Sequence, residues 1–383
     1  MHNSSGRSLS ASGLPLCLAL LSFVLGCSTA TPTSTSAPPT AAAAPAATVA
    51  PKPAATTAPA PAATIAPAPA ASAGATTIKI GLVAGTGASP VYVAQGRGYF
   101  QKQGLDVQFV TVSSGAELLP LMASNQLDGG VSSPAAALFN AVASNVPLKV
   151  VGDAGKQDSG AWWGGLVVRP ELLDSGTLKT PADLKGKTIA VTAPGVGTYM
   201  NTVSLLEANG LSDKDVNLTF LNFADMLSAL AAGKIDAADM VEPAITQGEA
   251  QGVLKRWISN AEIAPGEQEA VLMITPQLAA NTDVANRFIL GYVQGLHDYR
   301  AAFGPEKTDQ PAVIASVAPM LPSSYSADLV SKVHPLALDP DGLVNADSLK
   351  HQQEWYMAHG FVKTPADIEK TVDNSFAEHA RSQ

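Results

Sequence analysis

The chain has 383 residues and a formal charge of −9, with 46% hydrophobic and 14% charged residues. That length accommodates about two domains of ~150 residues, each large enough to bury its own core. No basic run interleaved with aromatics occurs, and the acidic balance excludes a nucleic-acid partner, whose phosphates demand clustered Lys and Arg.

The chain opens with positive charge at the amino terminus and Arg7, followed by a twelve-residue apolar stretch from Leu14 to Leu25. Such a stretch is too short to span a bilayer and suits the core of an export signal. It runs into Val24-Leu25-Gly26-Cys27, which resembles a bacterial lipobox, with Leu25 standing where a small or polar residue is usual. Residues 1–26 are therefore expected to be a lipoprotein signal peptide. Cys27 is expected to carry the acyl chains that tether the protein by burying methylene groups in lipid. The only other cysteine is Cys17, so the 356 residues after Cys27 hold no disulfide, Cys-based metal site or catalytic thiol.

Residues 28–76 contain 21 Ala, 10 Pro and one charged residue, Lys52. With no periodicity and no aromatic residue, this segment cannot bury enough surface to offset chain entropy. Residues 27–76 are read as the lipidated Cys plus a disordered, partly polyproline-II tether, reaching on the order of 150 Å at ~3.1 Å per residue. The charge resides beyond it: residues 77–383 carry all 32 acidic and 21 of the 23 basic residues.

From Thr77 the pattern becomes globular. Ile78–Val83 reads as a strand entering the loop Gly85-Thr86-Gly87-Ala88-Ser89-Pro90, and a helix is expected through Gln95 to Gln103, closed by Gly104. A strand at residues 105–110, a helix at 116–124, a short strand at 127–131 and a third helix at 135–144 follow. About 108 residues after the first strand the succession recurs. Thr188–Val191 is a strand with a Gly-rich exit at Ala193–Thr198; a helix runs to Ala208, and residues 216–221 form the second strand. A helix at 225–232 then leads to Ile235-Asp236-Ala237-Ala238, which echoes Leu127-Asp128-Gly129-Gly130. Two βαβαβ units are implied, each favouring a parallel sheet with right-handed crossovers. Thr180-Pro181-Ala182-Asp183 reads as a capped helix start, repeated at Thr364-Pro365-Ala366-Asp367. The tail holds an apolar strand at 270–274 and a long helix from about Thr282 to Phe303, and is expected to return onto the first unit.

Gly85…Pro90-x-Tyr92-x-Ala94…Gly98-Tyr99-Phe100…Gly104-Leu105-x-Val107 opens this body, and Asp183-Leu184-Lys185-Gly186-Lys187, Gly233-Lys234-Ile235-Asp236-Ala237 and Glu242-Pro243 punctuate its second half. In order and spacing these motifs resemble ABC-transporter solute-binding proteins for alkanesulfonates, taurine, nitrate and thiamine precursors (the thiamine-pyrimidine-synthase-like family), in a bacterial lipoprotein form. The resemblance implies a two-lobed, periplasmic-binding-protein-like (type II) α/β fold. Lobe 1 is expected to comprise residues 77–160 and 270–383 with its C-terminal helices, and lobe 2 residues 161–269. The implied function is capture of a small organic solute and delivery to an ABC permease and ATPase outside the cytoplasmic membrane. The expected protein is a monomer that uses no cofactor and no metal.

Ligands of open parallel sheets sit beyond the carboxyl ends of strands, where loops enter helices. The candidate binding residues are therefore Gly85, Thr86 and Tyr92; Ser113 and Ser114; Ser132 and Ser133; Gly195, Gly197, Thr198 and Tyr199; and Asp225, Asp239 and Glu242. Trp162 and Trp163 join them, because glycine-flanked indoles between the lobes can stack on a planar solute, one of the pair facing the cleft. These loops hold no Lys or Arg, and Asp225, Asp239 and Glu242 repel an anion. The solute is thus expected to be a pyrimidine, flavin-like or other heterocycle ahead of an alkylsulfonate.

Other chemistry fails on spacing. Gly186-Lys187-Thr188 lacks the upstream Gly of a phosphate loop and precedes its strand; Asp339-Pro340-Asp341-Gly342 has Lys350 where a calcium loop needs Glu. No Gly-x-Ser-x-Gly elbow occurs, and the histidines show no metal spacing. Fungal thiamine-pyrimidine synthases, enzymes of similar fold, carry a Cys-rich motif that a Cys-free body cannot supply. The alternatives are an enzyme on the same fold acting on a pyrimidine-like substrate, and a ligand-sensing lipoprotein.

Overall fold

The computed structural model describes residues 74–383, apart from residues 84–85, 113, 159, 161 and 322–324. The export signal, Cys27 and nearly all of the tether lie outside the described residues, as do Gly85, Ser113 and the Thr86 side chain. Ten strands occur among the described residues. They are β1 (Thr76–Val83), β2 (Leu105–Val112), β3 (Gly129–Ser132), β4 (Lys149–Lys156) and β5 (Gly164–Val168), then β6 (Thr188–Val191), β7 (Asn217–Phe220), β8 (Ala237–Val241), β9 (Lys255–Ser259) and β10 (Gln268–Ile274).

The strands form two five-stranded sheets, ordered β2-β1-β3-β10-β4 and β7-β6-β8-β5-β9. Position by position the two orders match, and each contains the expected parallel triplet: β1 pairs in parallel with β2 and β3, and β6 with β7 and β8. The fold is α/β and two-lobed.

Neither sheet is purely parallel. The fourth position of each is filled by a strand arriving from the other lobe: β5 lies antiparallel to β8 and β9, and β10 antiparallel to β3 and β4. All seven residues of β10 are buried, so its apolar run reads as a central strand with both faces covered. The edge strand β7, by contrast, is partly exposed along its length. Strands β4, β5 and β9 were not expected from sequence, because Gly- and charge-containing runs such as Lys149–Lys156 carry little β pattern.

The helix expected through Gln95 to Gln103 is displaced. It begins at Ser89 with Pro90 in its first turn, ends at Gly96, and a separate turn, Tyr99–Lys102, follows Gly98. Gly98 has φ 72°, a left-handed conformation that stops the first helix and is open to glycine at little strain. Thr180 and Asp183 do form a reciprocal capping box on Pro181–Leu184. At the second copy of that motif the cap is Asp367, whose side chain accepts from Lys370 N at the start of Ile368–Thr371.

The long helix Thr282–Phe303 packs on the first sheet through Phe288, Tyr292, Leu296 and Tyr299, all buried against Ile78, Ile80 and Leu82 of β1 and their neighbours. The tail therefore returns onto the first unit, as its apolar periodicity requires. The two segments that cross between the sheets run side by side: Gln157 N donates to Glu267 O at 2.8 Å, and Gly266 N to Gln157 O at 2.9 Å. The helix Ala346–Ala358 clamps this junction, with Ser348, His351 and Gln352 all bonded to the Glu267 carboxylate.

Candidate functional site

A cleft opens between the two sheets at the carboxyl ends of their parallel strands. From the first lobe it is lined by Val83 at the end of β1, Ser114 and Gly115 after β2, and Val131 to Ser133 at the end of β3. From the second come Thr192 after β6, Val196 and Thr198 at the entry of the helix Gly197–Ala208, Phe223 after β7, and Val241 at the end of β8. Trp163, just before β5, and Glu269 and Ala270 of β10 complete the wall. No Lys or Arg lines it among the described residues.

The two lobes touch around this cleft. Ala136 N of the first lobe donates to Gly195 O of the second at 2.9 Å. Gly195 has φ 69°, and a Cβ there would meet Phe361 at 3.0 Å and Ala136 at 3.3 Å. A Cβ on Gly197 would meet the Ser133 Cβ at 3.2 Å and Glu269 Oε1 at 3.5 Å, so both glycines let the backbone of one lobe approach the other.

Ser114, Ser132, Ser133, Thr198 and Trp163 of the expected residues line the cleft, with Gly195 and Gly197 at the lobe contact. Thr198 is oriented from within, its Oγ1 lying 2.9 Å from Thr192 Oγ1 and accepting from Thr192 N at 3.1 Å. Other expected residues are engaged elsewhere. Tyr92 packs edge-on against Phe109, its hydroxyl pushed up to about 12 by burial. The Tyr199 hydroxyl donates to Asp213 and its ring packs edge-on against Phe361, 5.2 Å away. Asp225 is exposed, and its backbone N–H donates to the Asn222 side chain that caps Phe223–Ala231.

Trp162 and Trp163 separate by role. Trp162 lies beneath the Arg256 guanidinium at 5.0 Å, and its carbonyl accepts from Arg256 Nη1 at 2.7 Å. Arg256 in turn donates to the fully buried Glu242 at 2.5 Å, and the same carboxylate accepts from Thr246 Oγ1 at 2.9 Å, Thr246 N at 3.1 Å and His334 N at 3.3 Å. Glu242 is thus neutralised inside an ion pair and is not among the residues that line the cleft. Trp163 is 3% exposed, and its indole N–H has no partner among the described residues.

The cleft floor carries what loop composition did not reveal. Glu269, at the start of β10, is buried; Gln157 Nε2 donates to its Oε2. Burial pushes the Glu269 carboxyl up to about 8, against the opposing pull of Gln157 and the nearby Asn201 amide. Asp239 of β8 lies fully buried beside it and is held well above the usual carboxylate range by burial and by Glu269. Gln157 Oε1, Asn201 Nδ2, Thr202 Oγ1, Asp239 Oδ2 and Asn260 Oδ1 are all buried without a partner among the described residues. Interior polar atoms are ordinarily paired, so this concentration around Glu269 and Asp239 stands apart from the rest of the core. The only trace in the sequence is Gln268-Glu269 set directly before an apolar strand.

With this geometry in view, the family is decided by its model, described as NMT1/THI5 like, which matches residues 86–302, more than half of the chain. The chain belongs to the NMT1/THI5-like family. Among relatives, it is similar to the riboflavin-binding protein RibY of Chloroflexus aurantiacus, 21% identical over 374 residues that cover 95% of this chain and 97% of the relative. It is also similar to a Brucella abortus protein named as a binding protein, 23% identical over 295 residues, covering 76% of this chain and 88% of the relative. Its fold is that of the alkanesulfonate-binding protein SsuA of Xanthomonas axonopodis bound to MOPS, with a TM-score of 0.62 at 18% identity, covering 78% of this chain and 98% of that one. This NMT1/THI5-like chain therefore has the two-lobed fold of the periplasmic binding proteins.

Proposed function

We propose that this protein is the extracytoplasmic, Cys27-anchored solute-binding component of an ABC importer, closing two lobes on one small organic solute. The observation that carries this reading is the cleft itself. Strand ends of both lobes converge on one space, glycines at 195 and 197 bring the lobes into contact, and unpaired buried polar groups cluster around Glu269, which lines it. A solute bridging the lobes would stabilise the closed form by its differential affinity for it.

The favoured solute is an uncharged or weakly basic heterocycle of pyrimidine or flavin type. Trp163 and Phe223 offer aromatic surface, Ser and Thr hydroxyls offer hydrogen bonds, and a carboxyl occupies the wall where a sulfonate receptor would want a cation. The full-length similarity to a riboflavin-binding protein supports the same choice. Calorimetric titration with riboflavin, cytosine and MOPS tests it, with Trp163 emission as a second readout. Saturable binding of a heterocycle is expected; binding of MOPS alone, or conversion of a heterocycle to product, would overturn the reading. Genes for a permease and an ATPase beside the coding sequence are expected for transport, and a signalling membrane partner in their place would favour sensing.

A further inference from the structure

We propose that Glu269 is held protonated at the floor of the cleft and donates that proton in a hydrogen bond to an acceptor nitrogen or oxygen of the solute, making capture proton-linked. The inference rests on the solute-binding reading above and assigns its recognition group.

The environment of Glu269 has no compensating charge. Facing it are Asp239 from β8, Glu267 from the preceding crossover with its His351 partner on Ala346–Ala358, and the Tyr356 hydroxyl from the same helix. Arg256 is committed to Glu242 and Glu249 at the margin of the cleft. An ionised carboxylate here would be desolvated beside a second buried carboxyl with no cation to pair it, an arrangement that drives a group to neutralise. The helix Gly197–Ala208 points its amino end at Oε1, but its partial charge, about half a unit, does not offset full burial. Burial holds the carboxyl near 8 in the folded protein.

A protonated carboxyl is one donor with acceptor capacity to spare. Gln157 Nε2 supplies a hydrogen to Oε2 and the Asn201 amide lies close to the carboxyl, and the Oε1 edge beside Gly197 is assigned the acid proton. Independent of the acid, the Trp163 N–H and the Gln157 carbonyl are buried and unpartnered at the same place, so the floor offers a donor–acceptor set suited to the edge of a heterocycle. A sulfonate would meet a carboxyl instead of a cation.

The sign follows from linkage. Donation to the solute raises the Glu269 pKa further on binding, so below about 8 no proton is taken up, and above it each bound solute brings one. Affinity should then fall by up to about tenfold per pH unit above that value.

Two measurements on the full chain decide it. Infrared spectroscopy of the free protein at pH 7 should show a protonated-carboxyl C=O stretch that is weaker in Glu269→Gln and fades with a midpoint near 8. Calorimetry with riboflavin and cytosine should show affinity falling about tenfold or more between pH 7 and 9.5 for the native chain, with proton uptake at the alkaline end. Glu269→Gln, whatever its residual affinity, should show no such slope, and its thermal unfolding reports whether it folds. Identical infrared spectra for the native and Gln chains at pH 7 would overturn the protonated acid. A heterocycle bound with flat pH dependence would overturn the linkage. Binding of neither heterocycle would overturn donation to such a solute together with the reading it rests on, while the infrared comparison still decides the proton separately.

Discussion

The margins of the cleft and its floor use similar side chains to opposite ends. At one margin Glu242 is completely buried yet fully paired, by Arg256 and Thr246, with Trp162 stacked beneath the guanidinium. At the other, His359 stacks on Trp355 and bonds to Glu207 across to the helix Gly197–Ala208, while Tyr199 packs on Phe361. Around Glu269 and Asp239, one buried side-chain atom each of Gln157, Asn201, Thr202, Asp239 and Asn260 has no partner among the described residues. The His359 margin is thus a finished contact that joins the lobes, and the Glu242–Arg256 margin a finished contact within the second lobe, whereas the floor is where the proposed solute would be received. Burial alone does not distinguish them; satisfaction of the buried groups does.

The largest effect should come from breaking a margin. Arg256→Ala strands the Glu242 carboxylate in the interior and is expected to destabilise by about 3–5 kcal/mol in denaturant unfolding. Glu242→Gln combined with Arg256→Met, which removes the charges together, should recover much of that loss; a double variant as unstable as the single would mean the pair is not the margin's fastening.

The two tryptophans sharpen the contrast next. Trp163→Ala removes a buried indole from floor and core together and should lower stability by about 3–5 kcal/mol and abolish the solute-dependent emission change. Trp162→Ala, which loses a cation–π contact and the packing of a half-buried ring, should cost about 1–2 kcal/mol, less than Trp163→Ala, and leave that emission change in place. Equal losses in the two variants would erase the distinction.

Gly195→Val tests lobe contact without touching a polar group. Its left-handed φ and the Phe361 ring 3.0 Å from a new Cβ oppose the closed arrangement. Strain of ~1–3 kcal/mol predicts a weakening of solute binding by about 5- to 150-fold. An unchanged Kd would show that closure does not need this contact.

The smallest effect belongs to the His359–Glu207 bridge. Burial lowers the His359 pKa, but the Glu207 carboxylate and the Trp355 carbonyl outweigh it and leave the ring above its ordinary value. A group raised on folding contributes stability that is complete below its unfolded pKa and is lost as pH rises through the folded one. Glu207→Gln should therefore lower the melting temperature slightly at pH 5.5 and not at pH 8.5, by an amount matching the ~0.2–1 kcal/mol of a partly exposed pair. A loss of equal size at both pH values would assign the contact to packing.

The sequence by itself determined the two βαβαβ repeats and the long Thr282–Phe303 helix. Alternating apolar runs, loop glycines and the helical period are local signals, written within ten or twenty residues. It also placed Ser114, Ser132, Ser133 and Thr198 at the cleft, because loops after parallel strands converge wherever the sheet forms. Only the tertiary structure decided that β5 and β10 take the antiparallel fourth place in each sheet, since a strand's neighbours are chosen by long-range pairing and not by its own residues. The same holds for charge: Glu242 and Glu269 are both buried acids, and nothing local to either distinguishes a paired carboxylate from an unpaired acid. Arg256 approaches one of them and no cation the other, and that difference is made entirely by how distant segments pack.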